Sequence, residues 1–408
     1  MNWNNFSIDF TLQKEGVQFL ANYKGESVLK CCLENGMLDV SIKYDFMDKP
    51  PLHLSAVAHC GNKVRMNILP YRLELYVDDT LLDEEWPCGD HYLRESSIID
   101  NGCDFRMQER CISKVKEPSV LGVFQNAEGW KPEENVFVGD CMPYCHNGVY
   151  HVLYLKDRHH HRSKWGKGAH QWSHISTTDF LTWSIHPMAV EIDDPKEGSI
   201  CTGSWIYDGT THYLYYTVRM CDGSPAKICR SVSADGFHFE KDGTFAFTLS
   251  DKYTAPSARD PKIIKDEYGV YHMILTTSLS ENRRGCLAHL VSDDLNEWRE
   301  LDEPFYIAPE EMGEPDCADY FYKEGYYYLV YSLKGKGYYM YSKDPFSNWQ
   351  LPEEPIIPCN SVPKAAIWNE RLIFTGFNGN GGYAGTMTFM EAFVEKDGQL
   401  TYRRRIAK

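Results

Sequence analysis

The 408-residue chain has no apolar run near the 18 or so residues that a bilayer-spanning helix needs. It also lacks a C-x-x-C pair, a glycine-rich phosphate loop, a dinucleotide fingerprint and a G-x-S-x-G elbow. These absences argue against nucleotide enzymes and serine hydrolases, and no cofactor is expected. Basic residues are in deficit, 42 Lys and Arg against 58 Asp and Glu, for a formal charge of −16. So acidic a chain is poorly suited to nucleic acid or an anionic membrane surface. The opening MNWNNFSIDF has neither the basic nor the apolar region of a secretory signal, and the fourteen cysteines form no dense framework. The expectation is a soluble cytoplasmic protein with reduced thiols.

Aromatic residues, by contrast, are abundant: 14% of the chain, with 27 Tyr and 10 Trp. They suit strands and sugar-stacking sites, so a small neutral oligosaccharide is the expected partner, with self-association left open. They also recur. A turn glycine followed by an alternating aromatic–aliphatic run occurs as Gly148-VYHVLYL, Gly209-TTHYLYYTV, Gly269-VYHMILTT and Gly325-YYYLVYS, at intervals of 61, 60 and 56 residues. Each run reads as a strand leaving a hairpin turn. An acid, a short turn and an aromatic follow each time, at Asp179, Asp235, Asp294 and Asp344, as a device pinning the outer part of a blade. A weaker fifth copy, RLIFTGF, follows Asn369-Glu370.

Five units of about 55 residues fit four short strands each, which predicts an all-β fold: a five-bladed β-propeller over 126–408. A two-sheet sandwich would supply the strands but not the shared phase of two landmarks. Residues 1–125 lack the repeat and alternate in short runs separated by Asn35-Gly36 and Asn101-Gly102, which predicts an N-terminal β-sandwich-like domain.

Three acids stand just upstream of turn glycines: Asp140 eight residues before Gly148, Asp260 nine before Gly269, and Asp316 nine before Gly325. Equal phase on the innermost strands of different blades would gather them around one channel. Any one of them alone would read as a turn or cap residue. Together they match glycoside cleavage, which needs one carboxyl as acid on the leaving oxygen and another to attack the anomeric carbon or activate water.

The run Gly139-Asp-Cys-Met-Pro-Tyr-Cys-His-Asn-Gly-Val-Tyr-His-Val-Leu-Tyr resembles the N-D-P-N-G and Y-H-L-F-Y segments of glycoside hydrolase family 32. His170-Gln-Trp-Ser-His-Ile-Ser-Thr-Thr-Asp-Phe-Leu-Thr-Trp resembles its H-W-G-H-x-x-S-x-D-L-x-x-W, with one extra residue, Gln171, before Trp172. Gly198-Ser-Ile-Cys-Thr-Gly-Ser resembles its C-F-S-G-S stretch, and Arg259-Asp-Pro resembles its R-D-P motif. Families 43 and 68 share the propeller and parts of these motifs. The resemblance implies a retaining β-fructofuranosidase-like hydrolase with Asp140 as nucleophile, Asp260 as transition-state stabiliser and Arg259 beside it. It further implies Trp172 stacking on the sugar, His174 hydrogen-bonding to it or supporting it, and Ser204 nearby. The family's acid lies in E-C-P-D, where this chain has Asp316-Cys-Ala-Asp, with Glu314 two residues earlier. Both Glu314 and Asp316 are candidate acids. A family 43-like inverting arabinofuranosidase or xylosidase, and a non-catalytic carbohydrate-binding propeller, are the alternative readings. The basic stretch Lys156-Asp-Arg-His-His-His-Arg-Ser-Lys-Trp-Gly places His160 and Trp165 among candidate substrate contacts. Consecutive His side chains on a strand diverge, so no metal is expected there.

Overall fold

The computed structural model describes residues 5–44, 51–69, 71–87, 91–100, 102–109, 117–132, 136–158, 170–379 and 383–404. Regular structure there is almost entirely strand, relieved by single 3₁₀ turns such as Leu93–Glu95. The chain forms two compact units, one built mainly from the residues before 117 and the other from most of the rest.

The first unit is a pair of five-stranded antiparallel sheets. One holds Phe6–Thr11, Lys63–Ile68, Leu73–Val77, Thr80–Glu85 and Phe105–Glu109; the other holds Gly16–Tyr23, Glu26–Glu34, Met37–Ile42, Leu52–Val57 and Ser97–Asp100. Period-2 alternation turns Ile8, Phe10, Val64 and Met66 of one sheet, and Phe19, Leu29, Val40 and Leu54 of the other, into one shared core. Phe10 and Phe19 meet edge to face with centroids 5.2 Å apart. The expected β-sandwich is present.

The second unit is the five-bladed propeller. Blade I has strands Val136–His146, Val149–Arg158, Gln171–Thr177 and Thr182–Val190. Blade II has Glu197–Tyr207, His212–Met220, Lys227–Ser233 and Glu240–Phe247. Blades III, IV and V start from inner strands Arg259–Lys265, Asp316–Lys323 and Ser361–Trp368, each followed by antiparallel neighbours. The turn glycines act as expected: Asn147 and Gly148 both hold positive φ, 49° and 78°, the requirement of a two-residue type I′ hairpin. The aromatic runs fill the spaces between blades. Tyr150 of blade I bonds Thr375 of blade V at 2.6 Å, Tyr215 of blade II bonds the Leu295 carbonyl of blade III at 2.5 Å, and Tyr328 of blade IV donates to the Gly398 carbonyl of blade V at 2.8 Å.

The recurring outer acids make one motif. The Asp179 carboxylate accepts from the backbone N–H groups of Leu181 and Thr182, Asp235 from those of Phe237 and His238, and Asp294 from those of Asn296 and Glu297. A hydroxyl two residues earlier (Thr177, Ser233 or Ser292) accepts the acid's own N–H. Short side-chain acceptors thus satisfy the backbone where strand three turns into strand four.

The ring is closed from an unexpected place. Strand Gly122–Gln125 extends the outer edge of blade I, and the chain then crosses to blade V. There the Glu128 carboxylate accepts from Thr388 Oγ1 at 2.9 Å and from the Phe389 N–H at 2.8 Å.

Candidate active site

Four inner strands break their pairing at the same level. Gly139 and Asp140 face one residue on the next strand, as do Asp260 and Pro261, Cys317 and Ala318, and Val362 and Pro363. These are β-bulges, and Asp260, Cys317 and Val362 each sit in the left-handed region at φ 59°, 52° and 46°. A bulge turns one residue out of the ladder, and on an inner strand it turns toward the channel. Gly139 fits only as glycine, because an added Cβ would stand 2.8 Å from the Tyr383 ring and 3.2 Å from the Leu155 carbonyl.

Asp140 is buried and held on both oxygens. Thr202 Oγ1 donates to Oδ2 at 2.5 Å, the Tyr383 hydroxyl donates to Oδ1, and the Asp140 N–H donates to that same hydroxyl at 3.1 Å. The Cys317 thiol lies 3.3 Å from Asp140 Oδ2 and 3.3 Å from Asp260 Oδ2, so one sulfur stands between the two carboxylates. Carboxylate oxygens of Asp260 and Asp316 and the Cys317 sulfur all lie within 4.8 Å of one another.

Arg259 organises the other side. It donates to Asp316 through Nε and to Glu314 through an Nη, both at 2.8 Å, and approaches Asp260 at 3.5 Å. Burial works against its charge, but Asp316, Asp260 and Glu314 more than offset this and raise its pKa. Burial, and then the negative charge of Asp316, push the Asp260 carboxyl up to about 7, against the pull of Arg259 and the buried Lys364. Near neutral pH Asp260 thus binds a proton that an isolated carboxylate would release. Burial would also raise Glu314, yet the Arg259 charge and the Ser278 hydroxyl hold it below the ordinary range. Glu314 stays ionised where Asp260 holds a proton.

The structure therefore gathers Asp140, Asp260, Asp316 and Arg259, with Glu314 on the far side of the guanidinium. The equal phase expected of the three acids is not kept. Asp316 pairs one residue before its bulge, Asp260 is the first bulge residue and Asp140 the second. Hairpins of different length shift the turn glycines: five residues separate Lys265 from Tyr271, but two separate Lys323 from Tyr326. The acids still converge, because bulge level rather than distance from the glycine sets their height.

Three expected sugar contacts point elsewhere. Trp172 is completely buried, donates its indole N–H to the Cys201 carbonyl at 3.0 Å and packs edge-on against Tyr216, so it has no face open for stacking. His174 is buried against His151, Trp205 and Phe237; it shares a hydrogen bond with His151 at 3.0 Å, and burial holds its pKa well below normal. Ser204 accepts the Ile263 N–H at 2.9 Å and so ties blade II to blade III. His160 and Trp165 lie outside the described residues.

A family model for the glycosyl hydrolases family 32 N-terminal domain matches residues 124–354. The chain belongs to glycoside hydrolase family 32. It is 33% identical over 197 residues to the sucrose-6-phosphate hydrolase of Bacillus subtilis (strain 168), covering 45% of this chain and 40% of that protein. Raffinose invertase of Escherichia coli is 27% identical, over 46% of this chain and 40% of its own length. The chain thus spans less than half the length of these curated relatives. Among solved structures, fructan 1-exohydrolase IIa from Cichorium intybus superposes with TM-score 0.56 at 16% identity, over 68% of this chain and 60% of that one. A GH43_1 enzyme from Xanthomonas citri gives 0.52 at 12% identity, over 66% and 91%. At these identities the structural likeness shows the propeller fold.

Family 32 motifs led to Asp140 and Arg259-Asp-Pro, but three neighbours were not singled out. Cys317 had a signal, since it directly follows Asp316. Thr202 lies inside the segment resembling C-F-S-G-S, two residues before Ser204. Tyr383 is 243 residues from Asp140, and no local pattern announces it.

Proposed function

We propose that this protein is a retaining glycoside hydrolase acting on β-fructofuranosides. The observation that carries this reading is the placement of the Asp140 and Asp260 carboxylates on either side of the Cys317 sulfur, with Asp316 at the open rim. Asp140, oriented by Thr202 and Tyr383, attacks the anomeric carbon and forms a fructosyl ester. Asp316, the more exposed of the two candidate acids (43% of its side chain against 26% for Glu314), protonates the leaving oxygen and later activates water. Asp260 and Arg259 hold sugar hydroxyls and supply fixed charge beside the oxocarbenium-like ring. Glu314 keeps Arg259 in place. The named activities of the curated relatives support sucrose, its 6-phosphate and raffinose as the first substrates to try. All twelve described cysteines are free thiols, which supports a reducing, cytoplasmic setting.

One observation favours a second reading. Asp316 stands where the family has Glu, one methylene shorter, and a shorter acid would widen the carboxyl separation toward the range in which a water can attack with inversion. The test is hydrolysis of sucrose, sucrose 6-phosphate, raffinose and 1-kestose, with the first-formed fructose anomer followed by NMR. Release of β-fructofuranose that disappears in Asp140→Asn establishes the retaining reading; the α anomer establishes inversion; no fructose from any of the four sugars overturns both.

A further inference from the structure

One register step beyond the bulges, three inner strands carry a second layer of charge. The first residue after the bulge is Lys262 in blade III, Asp319 in blade IV and Lys364 in blade V, opposite Ile274, Val330 and Thr375. Asp319 and Lys364 are both buried. Lys262 Nζ stands 2.6 Å from Asp319 Oδ1, and Oδ2 of the same carboxylate accepts the Ala365 N–H at 2.7 Å. These bonds tie blades III, IV and V together and neutralise Asp319. Lys364 is left over. Its Nζ donates to the Ala318 carbonyl at 3.1 Å and has no ion-pair partner among the described residues.

A buried ammonium held by one carbonyl is costly unless opposite charge lies close by. Ala318, its partner, directly follows Cys317, whose sulfur lies 3.3 Å from both Asp140 and Asp260. That neighbouring layer is short of positive charge, since Asp140, Asp260, Asp316 and Glu314 face the single guanidinium of Arg259. We propose that Lys364 is a positioning residue of the active site that acts through Asp260, its charge keeping that carboxylate ionised beside the sugar ring. The assignment rests on the hydrolase reading above. Two further observations support it. Burial, then Asp316 and Asp140, favour the neutral form of Asp260, and Arg259 and Lys364 are the cations that oppose them. The Cys317 thiol adds no charge between them, because burial, Asp140 and Asp260 keep it protonated. Lys364 also lies beyond the residues matched by the family model, on the inner strand of the last blade.

The experiment measures kcat/KM against pH, for sucrose and 1-kestose, in the wild-type protein and in Lys364→Met, Lys364→Gln and Lys364→Arg. Met and Gln remove the charge at similar length, Gln keeping a donor for the Ala318 carbonyl, and Arg keeps the charge. Losing Lys364 strands no ion-pair partner, so the neutral variants should fold, which melting curves check. Without the cation Asp260 protonates at higher pH, so the acidic limb should rise by about one pH unit in both neutral variants. That is roughly a tenfold loss near about pH 6 and less than about twofold near about pH 8.5, with Lys364→Arg close to wild type. Carbon-13 NMR of aspartate-labelled protein, with the Asp260 signal identified by its absence in Asp260→Asn, should show the same rise without turnover. An equal loss at every pH, an unmoved limb, or a shift in Lys364→Arg as large as in Lys364→Gln overturns the assignment while the hydrolase reading stands. No turnover of either sugar by wild type counts against the hydrolase reading instead, and the NMR titration then decides alone whether Lys364 acts on Asp260.

Discussion

In blades I, III and IV aspartate occurs both at the outer turn and at the channel, and the two regions treat it oppositely. At the outer turn, Asp179 and Asp294 receive pairs of backbone N–H groups, and those bonds hold their pKa below the ordinary range. At the channel, Asp260 is buried beside Asp316 and its pKa rises. One region spends the negative charge on ending a strand. The other crowds like charges together, which is costly for folding but gives Asp260 a choice of protonation state near neutral pH. Substitutions should therefore separate chemistry from stability.

The largest expected effect is at Asp140. Asp140→Asn should lower kcat on any fructoside substrate by on the order of 10⁴-fold, with a thermal midpoint close to wild type. Steady-state kinetics and a melting curve check both halves. Next comes the pair on Arg259. Asp316→Asn should cost roughly 10²–10⁴-fold in kcat, and Glu314→Gln less than about tenfold. The reverse order would move the acid to Glu314.

The third prediction concerns pH and stability. Because Asp260 has a raised pKa in the folded state, folding binds a proton between about pH 4 and 7. Its stabilising contribution is complete below the unfolded value of about 4 and is lost as pH rises through about 7. Asp260→Asn, which cannot ionise, should gain on wild type by as much as about 4 kcal/mol between pH 4 and pH 8. Urea midpoints at the two pH values measure this; a constant difference would refute the raised pKa of Asp260. The outer acids run the other way, contributing above their lowered pKa and losing that contribution on acidification. The smallest effect follows: Asp294→Ala should cost about 1 kcal/mol of stability at pH 7, less at pH 3, and leave kcat unchanged.

Much of this arrangement is legible in the residues. The repeat of glycine, aromatic run and acid encodes blades, since each element is local: a type I′ turn, a period-2 strand and a side chain that caps its own next turn. Asp140 and Asp260 could be found because they stand beside turn-forming neighbours in short motifs. Trp172, His174 and Ser204 occupy motif positions too, but burial decides their work. A motif fixes which strand carries a residue; packing fixes whether its side chain meets the channel or the neighbouring blade.

The sequence by itself thus determined the all-β class, the number of blades, the sandwich ahead of them and the strands that bear acids. Only the tertiary structure decided which of two acids faces Asp260, that a cysteine stands between the carboxylates, and that Tyr383 reaches Asp140 from the last blade. The reason is range. Turn chemistry and alternation act over a few residues, whereas bulge level, ring closure and the meeting of side chains from separate blades exist only once the ring is formed.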